Sequence, residues 1–521
     1  MLKKFAENTF LHIFLVAAVA VLSFLPVFDM FFYLDEWGAL YDFTHKPYTF
    51  YLFTTNNYYL LYSLFKLNAT GYYATGVGIY ALSVVLFYVF ARKLLNNKML
   101  GLAAGLLYAT TPVGTNTATM IWTFVAEGGY PLTIMLLALL YVLLLHLREG
   151  KKPYFLLAAL GFMLFLDLEP RRVFIFFPIL LLLDYVISYK RLIPTLGFII
   201  RQLVLFVIFV AYYKYDVTFT KIIASGKILI AETASLDGGA KLDLGLQSLT
   251  HIKPLVTLTN VLLGGPWLLA TYKLQGYVDV NNIEHVRLLV ILTISLAIGL
   301  VILAWRQKRE WGLLSLFSLG WIHMNILGIY IFSSPGISDT QHRTLSLAAP
   351  GYALFFTISG IALYTFLKKK KIQPLKHLNR AFIALFLLLV GVNLIATHYN
   401  FNKFTSFHSK SAWAFFKNLK NFYPTLPVDS LIFIDTPNSP ALKYQLSRVY
   451  GGSPYGGAAS IASFYPEIKK EELKLVHKYG DVEEFIGKDK TKIERVFAFY
   501  FDSNGLRDTT SDIRKELQNK K

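Results

Sequence analysis

The chain contains no cysteine, which excludes disulfides, thiolate metal sites and a cysteine nucleophile together. Charge is scarce too: 16% of the 521 residues are Asp, Glu, Lys or Arg, against about 25% in soluble domains. The sequence has no Walker-type glycine loop, dinucleotide fingerprint, HExxH zinc helix or Gly-x-Ser-x-Gly elbow. The commonest nucleotide, metalloprotease and hydrolase chemistries therefore lack their signatures. No internal repeat or low-complexity tract stands out, and no small-residue cleavage site follows the first apolar run. That run reads as an uncleaved helix rather than a signal peptide.

What is present is hydrocarbon. The chain is 55% hydrophobic, with a mean hydropathy of +0.48. Its 43 Phe and 33 Tyr suit the interfacial belts of a multi-span membrane protein. The net charge of +19 does not point to nucleic acid, because most basic clusters lie in short loops between apolar runs, where they set topology.

Runs of roughly 20 apolar residues and the basic clusters together predict the path. Lys3 and Lys4 hold the N-terminus in the cytoplasm and a first span, 10–28, runs outward. Residues 29–70 form an outer loop in which 48–65 lies along the membrane surface. Spans follow at 72–91, 99–113, 129–147, 154–167, 173–188 and 195–213, with Arg92, Lys93, Arg148, Lys151, Lys190 and Arg191 inside. Arg201 is expected to snorkel toward the inner face. A second outer loop, 214–285, holds the apolar run 255–270, broken by Gly264-Gly265-Pro266. The positive-inside rule makes it a surface or re-entrant helix, since spanning would put Arg306, Lys308 and Arg309 outside. Spans at 286–305, 313–332, 350–367 and 381–397 complete the count, with Lys368–Lys371 the strongest inner marker. The expected fold is mainly α: a polytopic membrane protein of about eleven transmembrane helices, N-terminus in and C-terminus out. His323 and Asn325, within a span, are expected to hydrogen-bond between helices.

From 399 the composition turns polar. Residues 431–435 and 496–501 read as buried strands, and 406–420, 440–448 and 467–478 as helices. The expected domains are a membrane domain, 1–398, and a small external α/β domain, 399–521.

The chemistry is expected at the outer rim. Asp35 and Glu36 adjoin Phe31, Phe32, Tyr33 and Trp37 just after the first span, and acids that near hydrocarbon are expensive unless used or paired. The same side carries Glu127 in the second outer loop and Asp167, Glu169, Arg171 and Arg172 in the third. His342 and Arg343 lie in a later one. Glu127 opens a helix, where a carboxylate also suits the dipole. Asp167-Leu168-Glu169 has the spacing of a metal-binding pair, but Arg171 and Arg172 neutralise it without an ion, so no metal is expected. Asn68-Ala69-Thr70 is a formal glycosylation sequon, a three-residue match that arises readily by chance.

An outward first span followed by Asp35-Glu36 in a long loop with surface helices resembles the C-type (GT-C) glycosyltransferases. Protein O-mannosyltransferases and lipid A aminoarabinose transferases are members of that superfamily. The resemblance covers about residues 1–400. It implies an inverting transfer of sugar from a polyprenyl-phosphate donor in the membrane to an acceptor hydroxyl, with no cofactor. Some oligosaccharyl-transferring relatives use a divalent ion. By the same resemblance Asp35 is the base, supported by Glu36. Arg343 with His342, then Arg171 and Arg172, would hold the donor phosphate. Glu127, Asp167 and Glu169 would be the acceptor or sugar contacts. It places the protein in the plasma membrane, with the bilayer, the lipid-linked sugar and an unidentified hydroxyl acceptor as partners, and no nucleic acid. The competing reading is a transporter or flippase for a lipid-linked glycan. That reading calls for ionisable residues deep within the spans.

Overall fold

The computed structural model describes residues 7–32, 34, 36–45, 53–126, 129–168, 173, 175–188, 195–215, 252–273, 283–332, 337–370, 375–451, 457–502 and 505–519. The apolar runs form a bundle of helices. These are α1 (Thr9–Ser23), α2 (Glu36–His45), α3 (Phe53–Phe65), α4 (Ala69–Leu95), α5 (Lys98–Thr110), α6 (Tyr130–Glu149), α7 (Lys152–Leu168) and α8 (Phe176–Ser188). They continue with α9 (Leu196–Tyr215), α10 (Lys253–Lys273), α11 (Ile283–Gln307), α12 (Arg309–Phe332), α13 (Ala349–Lys369) and α14 (Leu375–Phe404). Among the described residues seven helices are long and apolar enough to cross a membrane, and α1, α5, α7, α8 and α9 are shorter apolar ones. Leucines at 288, 292, 296, 385, 387 and 388 face outward, as lipid contact requires. This is a polytopic membrane protein. Of the expected surface segment, 53–65 is helical and 48–52 lies outside the described residues.

Local chemistry explains the turns. Asn96 ends α4 in the left-handed region (φ 49) and Asn97 caps α5, accepting from the Met99 and Leu100 amides at 2.9 and 3.0 Å. Arg148, in the last turn of α6, donates to the carbonyls of Lys93 and Leu94, closing the C-terminal end of α4 as a cation there should.

Two intramembrane features differ from expectation. Arg201 does not snorkel. It grips the fully buried Asp184 through Nε (2.9 Å) and Nη2 (2.6 Å), while Gln202 (2.7 Å) and Ser188 (2.8 Å) donate to the same carboxylate. A fully hydrogen-bonded pair costs less in hydrocarbon than either charge alone, and it clasps α8 to α9. Asn325 Oδ1 is buried with no hydrogen-bond partner among the described residues, so that atom does not make the expected interhelical bond.

Helix α10 carries the broken run. Gly264 has φ 53 and ψ −133, and Pro266 follows it. Across the kink, Trp267 Nε1 donates to Asn260 Oδ1 at 2.9 Å. Asn260 donates to the Ser338 carbonyl, Thr257 bonds Tyr330, and the Gly265 amide donates to Asn393. The segment has the length and composition of a span and is kinked at Gly264, and its bonds tie it to α12, to the loop before α13 and to α14.

From His377 to Phe422 the chain is helical throughout, 46 residues with one π-helical turn at Thr405–Ser409, and it runs through the expected boundary at 399. Its last part, α15 (Lys410–Phe422), belongs to the C-terminal domain. There β1 (Ser430–Asp435), α16 (Pro440–Tyr450), α17 (Ala458–Phe464), β2 (Leu473–Val476), α18 (Tyr479–Ile486), β3 (Val496–Asp502), β4 (Gly505–Asp508) and α19 (Thr510–Asn519) follow. The sheet order is β2-β1-β3-β4, parallel except for the terminal hairpin. The strands expected at 431–435 and 496–501 are present. The helix expected at 467–478 is a correction: Lys470–Glu472 is a short 3₁₀ turn and Leu473–Val476 is a strand in register with Ser430–Phe433. Four residues carry too little pattern to reveal a strand whose stability comes from a parallel neighbour more than forty positions away.

His408, in the π-helical turn, is pushed down to about 4 by burial and then by the Arg448 guanidinium. A depressed imidazole is neutral in the fold and charges only on unfolding. Stability should therefore fall as pH drops from about 6.5 toward 4. His408→Asn should flatten the acid side of a plot of Tm against pH.

Candidate active site

The centre of the candidate site is the segment that links α5 to α6. Thr110, Thr111, Thr115, Thr117, Thr119 and Thr123 in it are all buried. A buried loop must satisfy its own polar groups. Here Thr115 Oγ1 donates to the Pro112 carbonyl (2.9 Å), Thr119 Oγ1 to Asn116 (2.8 Å) and Thr123 Oγ1 to Thr117 (2.7 Å). Gly114 has φ 74, and a Cβ on it would collide with the backbone of Ser346. The result is a compact platform with 3₁₀ and π-helical turns at Thr115–Thr119 and Trp122–Ala126.

Three other parts of the chain dock on this platform. From the first loop comes Glu36, 2% exposed, at the N-terminal end of α2. Its carboxylate accepts from the amides of Ile121 and Trp122, the latter at 3.3 Å. From α14, Thr397 Oγ1 donates to the Thr110 carbonyl (3.0 Å) and Asn400 Nδ2 to Asn116 Oδ1 (2.9 Å). From the loop before α13, the Thr340 and Gln341 carbonyls accept from the amides of Gly114 (3.0 Å) and Asn116 (2.8 Å), and the Arg343 carbonyl accepts from Thr117 Oγ1 (2.8 Å).

Arg343 follows from that docking. Its guanidinium is exposed and rests with Nη1 2.9 Å from Met120 Sδ. Met120 immediately precedes the two amides that Glu36 holds. Glu36 and Arg343 therefore lie at the same end of the bundle, on one three-residue stretch. Among the described residues no carboxylate pairs with Arg343.

His342 caps the 3₁₀ turn Arg343–Ala348, its Nδ1 2.7 Å from Thr344 Oγ1. Crowding by neighbouring atoms, and then the Arg343 charge, hold its imidazole below the ordinary value. Both effects favour the neutral imidazole beside the Arg343 cation. Tyr58, on α3, is fully buried and its hydroxyl has no hydrogen-bond partner among the described residues. Burial and then the Glu36 charge push its phenol well above the ordinary value.

Asp35, Glu127, Glu169, Arg171 and Arg172 lie outside the described residues, as does the side chain of Asp167, whose backbone is in α7. Of the remaining candidates, Glu36 and Arg343 meet on the platform, and His342 stands beside Arg343. Sequence reasoning missed the platform itself. The available signal was the run of threonines around Pro112-Val113-Gly114, spaced too irregularly for a strand or a helix face.

No family model matches the sequence, and no curated protein matches it. Among solved structures, the chain is similar over 95% of its length to 73% of an oligosaccharyltransferase from Archaeoglobus fulgidus, crystallised with zinc and sulfate, at 11% identity and a TM-score of 0.42. Over 94% of its length it is similar to 93% of ArnT from Cupriavidus metallidurans. The TM-score is 0.40 in the apo state, at 11% identity, and 0.38 with undecaprenyl phosphate bound, at 10% identity.

Proposed function

We propose that this protein is an inverting membrane glycosyltransferase. It moves a sugar from a polyprenyl-phosphate donor to an acceptor hydroxyl at the outer face of the plasma membrane. The observation that carries this reading is the stretch Met120–Trp122, which bears the acid loop on its amides and Arg343 on Met120. A hydroxyl is a weak nucleophile, and a carboxylate that takes its proton, Asp35, speeds its attack on the anomeric carbon. The glycosidic bond breaks on the opposite face and the electron pair leaves with the lipid phosphate. Arg343 offers that phosphate a planar fork of donors at the rim, where a lipid head group arrives laterally. Arg171 and Arg172 are the second pair of phosphate contacts. Glu127, Asp167 and Glu169 are the acceptor or sugar contacts.

Asp35→Asn removes the base and keeps the shape. With purified protein and a polyprenyl-phosphate sugar that the wild type uses, the transfer rate should fall about a hundredfold or more. A rate near the wild type's would sink the assignment.

The bent helix α10 and the intramembrane pair Asp184–Arg201 favour a second reading, a flippase for a lipid-linked glycan. The pair is closed on itself by four hydrogen bonds, which suits a clasp better than a pathway. Release of sugar from the lipid in detergent, where there is no bilayer to cross, separates the two readings.

A further inference from the structure

The first-loop helix α2 lies between two bodies. One side is tied to the bundle: Glu36 to the platform, and Thr44 Oγ1 to Tyr62 at 2.7 Å. The other side is gripped by the C-terminal domain. Trp37 is fully buried, donates Nε1 to the Val449 carbonyl at 2.9 Å, and packs its ring 4.6 Å from Phe416 and 5.6 Å from Phe464. The Lys470 amide donates to the Tyr41 hydroxyl at 3.0 Å, and His45 Nε2 lies 3.0 Å from the Ile468 carbonyl.

The grip reaches the residue just before Asp35. Leu34 has φ 54, a left-handed conformation that crowds the Cβ of an ordinary residue against its own backbone. Its amide donates to the Arg448 carbonyl, and its own carbonyl accepts from the Trp37 amide, both at 3.3 Å. A strained backbone of this kind persists only where its surroundings over-determine it, and such sites cluster where function needs a fixed geometry. Packing a domain onto a helix requires no left-handed leucine. A leucine held there from both sides, one position before an acid, points to a geometry that is being set.

We propose that the C-terminal domain is the positioning element of the first-loop acids. Through Arg448, Val449 and the pocket for Trp37, it holds Leu34 in the left-handed conformation and so fixes the direction in which the chain presents Asp35. Leu34 and Trp37 are positioning residues. This inference rests on the transferase reading for its purpose, but not for its first test.

Because the chain has no cysteine, Asp35→Cys places a single thiol at the position in question. Its rate of alkylation by a small maleimide should rise at least fivefold when Trp37→Phe is added, which removes the N–H to Val449 but keeps a ring in the pocket. An unchanged rate overturns the proposal, whatever the protein's activity. The second test uses turnover in Leu34 variants that keep the wild-type Tm. Leu34→Asn, which tolerates the left-handed region, should retain most of kcat. Leu34→Gly, which frees the backbone, should lose about tenfold at an unchanged donor KM, and Leu34→Val should lose more. Rates that follow Tm instead of this order would reduce Leu34 to a packing residue and overturn the proposal. Transfer failing in the wild type itself would remove the transferase reading and leave the alkylation result to decide the clasp.

Discussion

Arg343→Ala is expected to lower transfer by about 10²–10³-fold, the cost of removing one preorganised charge stabiliser, while the fold stays intact. The guanidinium is exposed and its contact is a thioether, Met120 Sδ. Its loss breaks no ion pair among the described residues, and a surface change of this kind moves stability by about 0.5 kcal/mol or less. The loss should appear in kcat, because charge grows on the phosphate only as the glycosidic bond breaks. Arg343→Lys should fall between the two, keeping a charge but not the fork. Steady-state rates across a donor titration, with Tm measured on the same preparations, check all of this. A variant that loses Tm in step with activity would show a structural residue instead.

Glu36→Ala is expected to fail in both respects. The carboxylate is 2% exposed and accepts from the Ile121 and Trp122 amides. Truncation leaves two buried donors without an acceptor, a cost of about 2 kcal/mol or more. It also frees the start of α2 from the platform, so transfer should fall to background. Glu36→Gln keeps one acceptor oxygen in place and should recover much of the stability and part of the rate. That ordering, read from Tm in detergent and initial rates, distinguishes a tether from a second proton acceptor. If Glu36 moved the proton itself, Gln would be as inactive as Ala.

The membrane part was legible because its signals are local. Apolar runs mark the helices, and lysines and arginines between them mark direction. From these came the expectation that Asp35-Glu36 and Arg343 share one end; of these, Glu36 and Arg343 both rest on Met120–Trp122. The partners were not legible. Nothing near Glu36 in the sequence names the amides of Ile121 and Trp122, and nothing near Arg201 names Asp184 as its partner. Such bonds are fixed by three-dimensional proximity, while periodicity reports only which face of an element is apolar. The strand Leu473–Val476 failed for the same reason, since it is defined by β1 beside it.

The unbroken helix His377–Phe422 has a mechanical consequence. At about 1.5 Å per residue its contour is roughly 69 Å, and it joins the apolar bundle, through the π-helical turn at Thr405–Ser409, to the domain that grips Trp37. Helices tilt to match their apolar length to bilayer thickness. Turnover is therefore expected to vary among bilayers that differ only in acyl-chain length, read as initial rates in reconstituted vesicles.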